Sequence, residues 1–275
     1  VPPMVVQEEI ARILDCFTAL EAELETQLQA ELEARKKQYA YWRERLLTFD
    51  DEADKIPCGL RQTDRQTDRL GWRRNSARWT TLGDVATITR GGNLQKKDLC
   101  EEGIPAIHYG QIYTRYGTFA ERTLSYVSPE VAKRQRMAQP GDIVMAVTSE
   151  NVEDVCKCVA WLGDEPVAIS GETVIIHHEQ NTKFLTYYFQ TLFFVAQKAR
   201  MAYGTKVIRV HPEALKRVRI PVPSLEEQER IVGILDKFEA LCGDLSQGLP
   251  GELALRRKQF AYYRERLLDF KELVG

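Results

Sequence analysis

Apolar residues near the start of the chain advance by threes and fours. Ile10, Ile13, Phe17, Leu20 and Leu24 begin the series, Leu28 and Leu32 continue it, and Tyr39, Trp42, Leu46 and Phe49 complete it. Between them lie mostly Glu, Gln, Lys and Arg, so the pattern predicts one long helix with the narrow apolar seam of a coiled coil. Pro2 and Pro3 suit the positions just ahead of a helix start. At 1.5 Å per residue, about 42 helical residues make a rod of roughly 60 Å, and its seam requires a partner.

The same pattern returns. Residues 1–49 align with residues 222–270 at a constant offset of 221, with no gap and 26 of 49 positions identical. The densest block, Arg35-Lys36-Lys37-Gln38-Tyr39-Ala40-Tyr41-Trp42-Arg43-Glu44-Arg45, recurs as Arg256-Arg257-Lys258-Gln259-Phe260-Ala261-Tyr262-Tyr263-Arg264-Glu265-Arg266. Two ordinary bundle helices would share only apolar character at core positions. Here the charged and amide residues are copied as well. Each arm is therefore expected to meet a like partner, with Arg35, Lys37, Gln38, Tyr41 and Arg43 in the first arm and Arg256, Lys258, Gln259, Tyr262 and Arg264 in the second as contact residues. Gly248, Pro250 and Gly251 interrupt the second copy, which predicts two helical pieces over about 226–246 and 252–270.

Between the arms the texture changes. Residues 51–78 read as a linker, in which Gln62-Thr63-Asp64-Arg65 is repeated at once as Gln66-Thr67-Asp68-Arg69. From Trp79 onward, short apolar runs such as 143–147 and 173–176 alternate with turns at Gly91-Gly92-Asn93, Pro140-Gly141-Asp142 and Ser170-Gly171-Glu172. Helices are expected at Pro129–Met137 and Thr182–Met201. The fold class is thus α+β. One mixed, strand-rich domain (79–221) lies between two long helical arms (1–50 and 222–275) that pair as an antiparallel coiled coil.

Composition narrows the function. The net charge is −2, but ten Lys or Arg stand against three Asp over residues 55–97, and seven against one Glu over 196–219. Residues 1–50, with six basic and ten acidic side chains, are negative. Local binding of a polyanion is compatible with that asymmetry. Of six scattered cysteines only Cys156 and Cys158 are close, a poor zinc pattern that fits idle thiols in a reducing compartment. With neither a signal peptide nor a membrane-length apolar run, a cytoplasmic location is expected. No phosphate-binding loop, glycine-rich methyltransferase loop or nuclease carboxylate motif is present, so no catalytic, metal or cofactor site is expected in this chain.

Residue types that contact DNA do occur on its turns. Arg90, Lys96 and Lys97 flank Gly91-Gly92, and Tyr109, Gln111, Tyr113 and Arg115 fall in a segment that mixes aromatic, amide and basic side chains. Thr148, Ser149 and Asn151 follow an apolar strand, while Thr205, Lys206 and Arg209 form a basic loop ahead of the second arm. Gln, Asn and Arg can read base edges; Ser, Thr, Lys and Tyr more often hold phosphates.

Ile220-Pro221-Val222-Pro223-Ser224-Leu225-Glu226-Glu227-Gln228-Glu229-Arg230-Ile231, the Arg256–Arg264 block, Trp79-Thr80-Thr81-Leu82-Gly83-Asp84-Val85 and Pro140-Gly141-Asp142-Ile143-Val144 together resemble the specificity subunit of type I restriction–modification enzymes. The resemblance implies a non-catalytic DNA-recognition subunit whose conserved helices space two target recognition domains and dock two modification subunits. Those subunits supply the S-adenosylmethionine chemistry, and restriction subunits joining through them use ATP and Mg. This chain departs from that pattern by carrying one recognition domain. A half-subunit, a homodimer through the arms, or one half of a longer subunit is accordingly expected. The alternative is a coiled-coil scaffold or decoy that docks modification subunits without reading DNA.

Overall fold

The computed structural model describes residues 3–49, 77–243 and 249–269. Most of the expected linker, Cys58 and the tandem repeat at 62–69 lie outside the described residues. The chain divides into two compact units, one of Val1–Trp42 with Gly233–Gly275 and one of Arg43–Val232. Among the described residues no helix is long and apolar enough to cross a membrane.

In chain order the elements begin with α1 (Met4–Leu46), β1 (Arg78–Thr81), α2 (Leu82–Val85), β2 (Ala86–Arg90), β3 (Leu99–Cys100), β4 (Ile104–Ile107) and α3 (Tyr109–Thr114). Next come β5 (Phe119–Ala120), β6 (Ser125–Val127), α4 (Pro129–Ala132), β7 (Arg136–Ala138), β8 (Ile143–Ala146), β9 (Thr148–Ser149), β10 (Cys158–Trp161), β11 (Val167–Ile169) and β12 (Thr173–His178). The chain continues through α5 (Thr182–Tyr188), α6 (Leu192–Met201), β13 (Ile208–Arg209), α7 (Pro212–Leu215), β14 (Arg219–Val222), α8 (Leu225–Gly243) and α9 (Leu249–Leu268).

Within the arm unit the helices run antiparallel, because partners advance along one arm as they retreat along the other. Phe17 stacks on Tyr263 with ring centroids 6.0 Å apart, Glu25 pairs with Arg257, and Tyr39 stacks on Phe238 at 6.5 Å. Its 43 residues make α1 about 65 Å long. The second arm holds two helices as expected, but Pro250 and Gly251, placed in the break by the sequence reading, lie inside α9; Pro250 falls in its first turn, where a missing N–H leaves no bond unmade. One seam position departs from expectation: Leu20 is 55% exposed, and Leu241, at the same place in the repeat, is 51% exposed. The repeat extends to local geometry. Arg35 donates to Gln38 at 3.4 Å and Arg256 to Gln259 at 3.4 Å, while Tyr41–Trp42 and Tyr262–Tyr263 both meet edge to face at 5.5 Å.

In the other unit, two mixed five-stranded sheets, ordered β2-β12-β8-β10-β5 and β3-β6-β4-β11-β7, carry the core. Val144, Ala146, Val159 and Ile175 from the first sheet meet Ile107, Ala138, Val167 and Ile169 from the second, and Trp161 and Tyr116 complete the cluster. Alternate residues of each strand supply this interface, as the two-residue period of a strand requires. A short antiparallel pair, β1 with β14, joins the unit's incoming and outgoing chain, with Arg78 opposite Val222 and Thr81 opposite Arg219. The last turn of α1 belongs here too. Leu46, Leu47 and Phe49 are buried, Phe49 lies edge to face on Phe184 at 6.4 Å, and the Glu44 carboxylate accepts from the Leu192 N–H at the start of α6. This carboxylate caps a helix N-terminus. Burial, partly offset by that hydrogen bond, pushes its pKa above the usual carboxylate range.

Two helices differ from the sequence reading. The helix expected at Pro129–Met137 ends at Ala132, and residues from Arg136 enter β7 beside β11. The segment expected as one helix over Thr182–Met201 is broken, because the Thr191 side chain accepts from the Phe194 N–H and starts α6 afresh.

Candidate nucleic-acid interface

The basic loop ahead of the second arm is a small hairpin. Tyr203 and Arg209 exchange backbone hydrogen bonds of 3.0 and 2.8 Å, and β13 pairs with β9 so that Ile208 faces Ser149 and Arg209 faces Thr148. Gly204 turns the chain with φ +108°, and a Cβ there would come within 2.1 Å of the Val207 carbonyl oxygen. Only glycine fits that turn without strain. Thr205 and Lys206 are left exposed at the tip, with Arg209 exposed on the strand.

From β9 a series of contacts leads across the surface. The Thr148 hydroxyl bonds the Glu172 carboxylate, and Tyr113 donates from its hydroxyl to the Thr148 carbonyl at 2.8 Å. Glu172 lies 3.9 Å from Arg90, whose Nε donates to the Gly171 carbonyl at 3.1 Å. The neighbouring Ser170 hydroxyl accepts from the Tyr109 N–H at 2.9 Å, and Leu94 bridges to Ser170 ahead of the exposed Lys96–Asp98 turn. Gly91 makes this crossing feasible, since a Cβ there would sit 1.9 Å from the Ser170 carbonyl oxygen. Segments around residues 90–97, 108–113, 148–149, 170–172 and 203–209 thus adjoin one another.

The geometry sorts the sequence-nominated residues. Arg90, Lys96, Lys97, Arg115, Thr205, Lys206 and Arg209 are exposed. Lys96, Lys97, Arg115, Lys206 and Arg209 form no ion pair among the described residues. Others do not present free polar groups. Tyr113 is largely buried and anchored to Thr148, and burial raises its phenol pKa further. Thr148 is buried with its hydroxyl engaged. Gln111 caps α3 by accepting from the His108 N–H and donating to Ser125. Asn151, though exposed, spends both ends of its amide on Asp154. In the arms, Arg43 is only 18% exposed and donates to Gln190 at 3.0 Å, so it holds the end of α1 rather than facing outward. Arg35, Lys37, Gln38, Tyr41, Arg256, Lys258, Gln259, Tyr262 and Arg264 are all exposed.

Several residues with work to do were not nominated. Glu172 is the junction just described. Lys157 donates to the Tyr113 carbonyl at 3.1 Å. Lys198, counted with the basic stretch at 196–219, is buried, and its ammonium donates to the Glu153 and Val155 carbonyls at 2.6 and 2.7 Å. It pins the loop that follows β9, and desolvation lowers its pKa. Beside it Cys156 adopts φ +67°, and burial pushes the Cys156 and Cys158 thiols up to about 12, so neither is a ready nucleophile. Among the described residues no group of three or more His, Cys, Asp or Glu is placed to hold a metal ion.

A strand-rich unit bearing such a surface, set between duplicated helical arms, has a counterpart among known proteins. Residues 78–255 match the family described as the type I restriction modification DNA specificity domain, and the chain belongs to that family. Among its relatives, a Haemophilus influenzae protein named as a type I restriction enzyme specificity subunit is 31% identical over 98% of this chain and 63% of its own length. The specificity subunit of the type I restriction enzyme EcoR124I/EcoR124II from Escherichia coli is 30% identical over 97% of this chain and 60% of its own length. This chain therefore spans about three fifths of these curated relatives. A chain from a solved type I restriction–modification system shares the fold, with TM-score 0.65 at 17% identity over 97% of this chain and 60% of that one.

Proposed function

We propose that this chain is a DNA-recognition subunit of a type I restriction–modification complex. Its β-rich unit reads one part of the target, and its arms mount the modification subunits. Family membership supports the class, and one observation carries the assignment to a surface. Loops distant in sequence adjoin one another and bring Arg90, Lys96, Lys206 and Arg209 onto the same tract, three of them without a carboxylate partner among the described residues. Phosphates supply the counter-charge such cations lack. Catalysis, S-adenosylmethionine, ATP and Mg belong in this reading to the partner subunits.

Docking of like partners is supported by what stays apolar and exposed at repeated positions. Met4 and Leu225, Leu20 and Leu241, and Tyr41 and Tyr262 are three pairs related by the offset of 221, and all six side chains are exposed. Exposed large apolar groups that recur in register mark paired contact sites. These pairs serve the scaffold reading equally, but the unpaired cations of the β-rich unit favour DNA.

The test is a salt-titrated binding measurement with duplex DNA, with modification subunits present. Lys206→Ala with Arg209→Ala is expected to weaken binding about tenfold or more at low salt without changing the unfolding midpoint. Wild-type protein that shows no preference for any sequence over bulk DNA would leave the scaffold reading standing.

A further inference from the structure

The early end of the helix expected at 129–137 changes the position of three cations. After Ala132 the chain turns through Arg134 N–H to Val131 carbonyl and Gln135 N–H to Ala132 carbonyl hydrogen bonds, then enters β7 at Arg136. Lys133, Arg134 and Arg136 are all exposed there, and none forms an ion pair among the described residues. A continuous helix would have put Lys133 and Arg136 on one face with Arg134 about 100° away. Here a tight turn carries Lys133 and Arg134, and Arg136 opens the strand that follows it, so all three sit at one corner of the chain path.

That corner is packed against the Gly91-Gly92 turn. A Cβ on Gly92 would lie 2.2 Å from Gln135 Oε1 and 3.2 Å from the Arg136 backbone nitrogen, and the Gly92 N–H donates to the Ile169 carbonyl at 3.3 Å. Ile169 is the residue opposite Arg136 in the sheet. Glycine at 92 thus allows the strap of residues 133–136 to cross directly behind the turn that bears Arg90 and leads to Lys96 and Lys97. Six cations gather in this region: Arg90, Lys96, Lys97, Lys133, Arg134 and Arg136. The nearby Asp98 carboxylate is occupied in accepting from the Gln95 N–H at 2.9 Å. By contrast the loop after β9 is acidic, with Glu150, Glu153 and Asp154.

We infer that the crossing of the Gly91-Gly92 turn with the Lys133–Arg136 strap is a phosphate clamp. It would grip the DNA backbone at one end of the recognition surface, with Lys133, Arg134 and Arg136 as contacts additional to those read from the sequence. Charge complementarity and continuity with the Arg90 tract identify the ligand as a nucleic-acid backbone. The clamp positions the duplex and carries no sequence information. It rests on the DNA-recognition reading above.

The experiment measures affinity of the full chain for a mixed-sequence duplex over a range of salt concentration. Each phosphate contact contributes about 0.9 to the slope of log affinity against log salt. Lys133→Gln, Arg134→Gln and Arg136→Gln combined are expected to reduce that slope by roughly 2 to 3. Preference among target sequences should be unchanged, and Lys133→Arg, Arg134→Lys and Arg136→Lys should restore the slope. An unchanged slope in a variant with wild-type unfolding behaviour overturns the clamp while leaving DNA recognition intact. An altered sequence preference at constant slope overturns it too, by making these residues base readers. Should the combined variant unfold, Arg134→Gln alone must lower the slope by about 1. Absence of salt-dependent DNA binding by the wild-type chain overturns both the clamp and the reading beneath it.

Discussion

Leu47 and Leu268 occupy the same position in the repeated arm, yet Leu47 is 1% exposed and Leu268 is 52% exposed. Gln228 and Gln7 differ in the same way. Gln228 is fully buried, accepts from the Asn181 N–H and donates to Gln180 and Pro223, whereas Gln7 is half-buried. The β-rich unit covers the end of the first arm and the start of the second, and within it identical residues become core. Elsewhere the same residues keep their identity without that burial. Met4 and Leu225, Leu20 and Leu241, and Tyr41 and Tyr262 form a different set, exposed in both copies. Positions buried in one arm therefore hold the β-rich unit, while those exposed in both are the ones the proposed function assigns to partners common to the two arms.

The widest consequence concerns stoichiometry. If the arms are equivalent mounts, Tyr41→Ala and Tyr262→Ala should each remove one bound modification subunit, and the double variant should remove both. Native mass spectrometry of the assembled complex reads this directly. Loss of both partners from either single variant would break the equivalence.

Stability gives a smaller contrast. Leu47→Ala should lower the unfolding free energy by about 3 kcal/mol, as expected for a buried leucine. Leu268→Ala should change it by less than about 0.5 kcal/mol. Gln228→Ala strands the Asn181 N–H and should lose about 2 kcal/mol, more than Gln7→Ala. Equal losses in denaturant titrations of either pair would erase the distinction between the arms.

The smallest effect is in pH. Glu44 has a folded pKa raised by burial, so the folded state binds its proton more tightly than the unfolded chain. That contribution is complete below the unfolded value of about 4.5 and is lost as pH rises through the higher folded value. Glu44→Gln should flatten the stability profile in that window. A profile identical in wild type and Glu44→Gln would contradict the burial of this carboxylate.

The arms were the most legible part of the chain, since helical periodicity, an ungapped repeat and Pro250 all act locally. Strand facing was less so. Nothing in the order of residues distinguishes an inward Thr148 from the outward Lys206, because that depends on β9 pairing with β13 and on Glu172 arriving from another turn. The segment at 129–137 has the composition of a helix, but its last three residues pair antiparallel with β11 as β7. The split at Thr191 came from a cap that a run of aromatic residues disguised. Lys198 looked like surface charge until two carbonyls of a distant loop were found around its ammonium.

The pairing of β1 with β14 brings the points where the chain enters and leaves the β-rich unit side by side. The segment from Arg78 to Val222 is closed at its base by this pair, while the end of α1 and the start of α8 pack against it through Phe49 on Phe184 and Gln228 on Asn181. A foreign segment put in its place would have to supply not only the two short strands but also seats for Leu47, Phe49 and Gln228, or the helices that frame it would lose their buried ends.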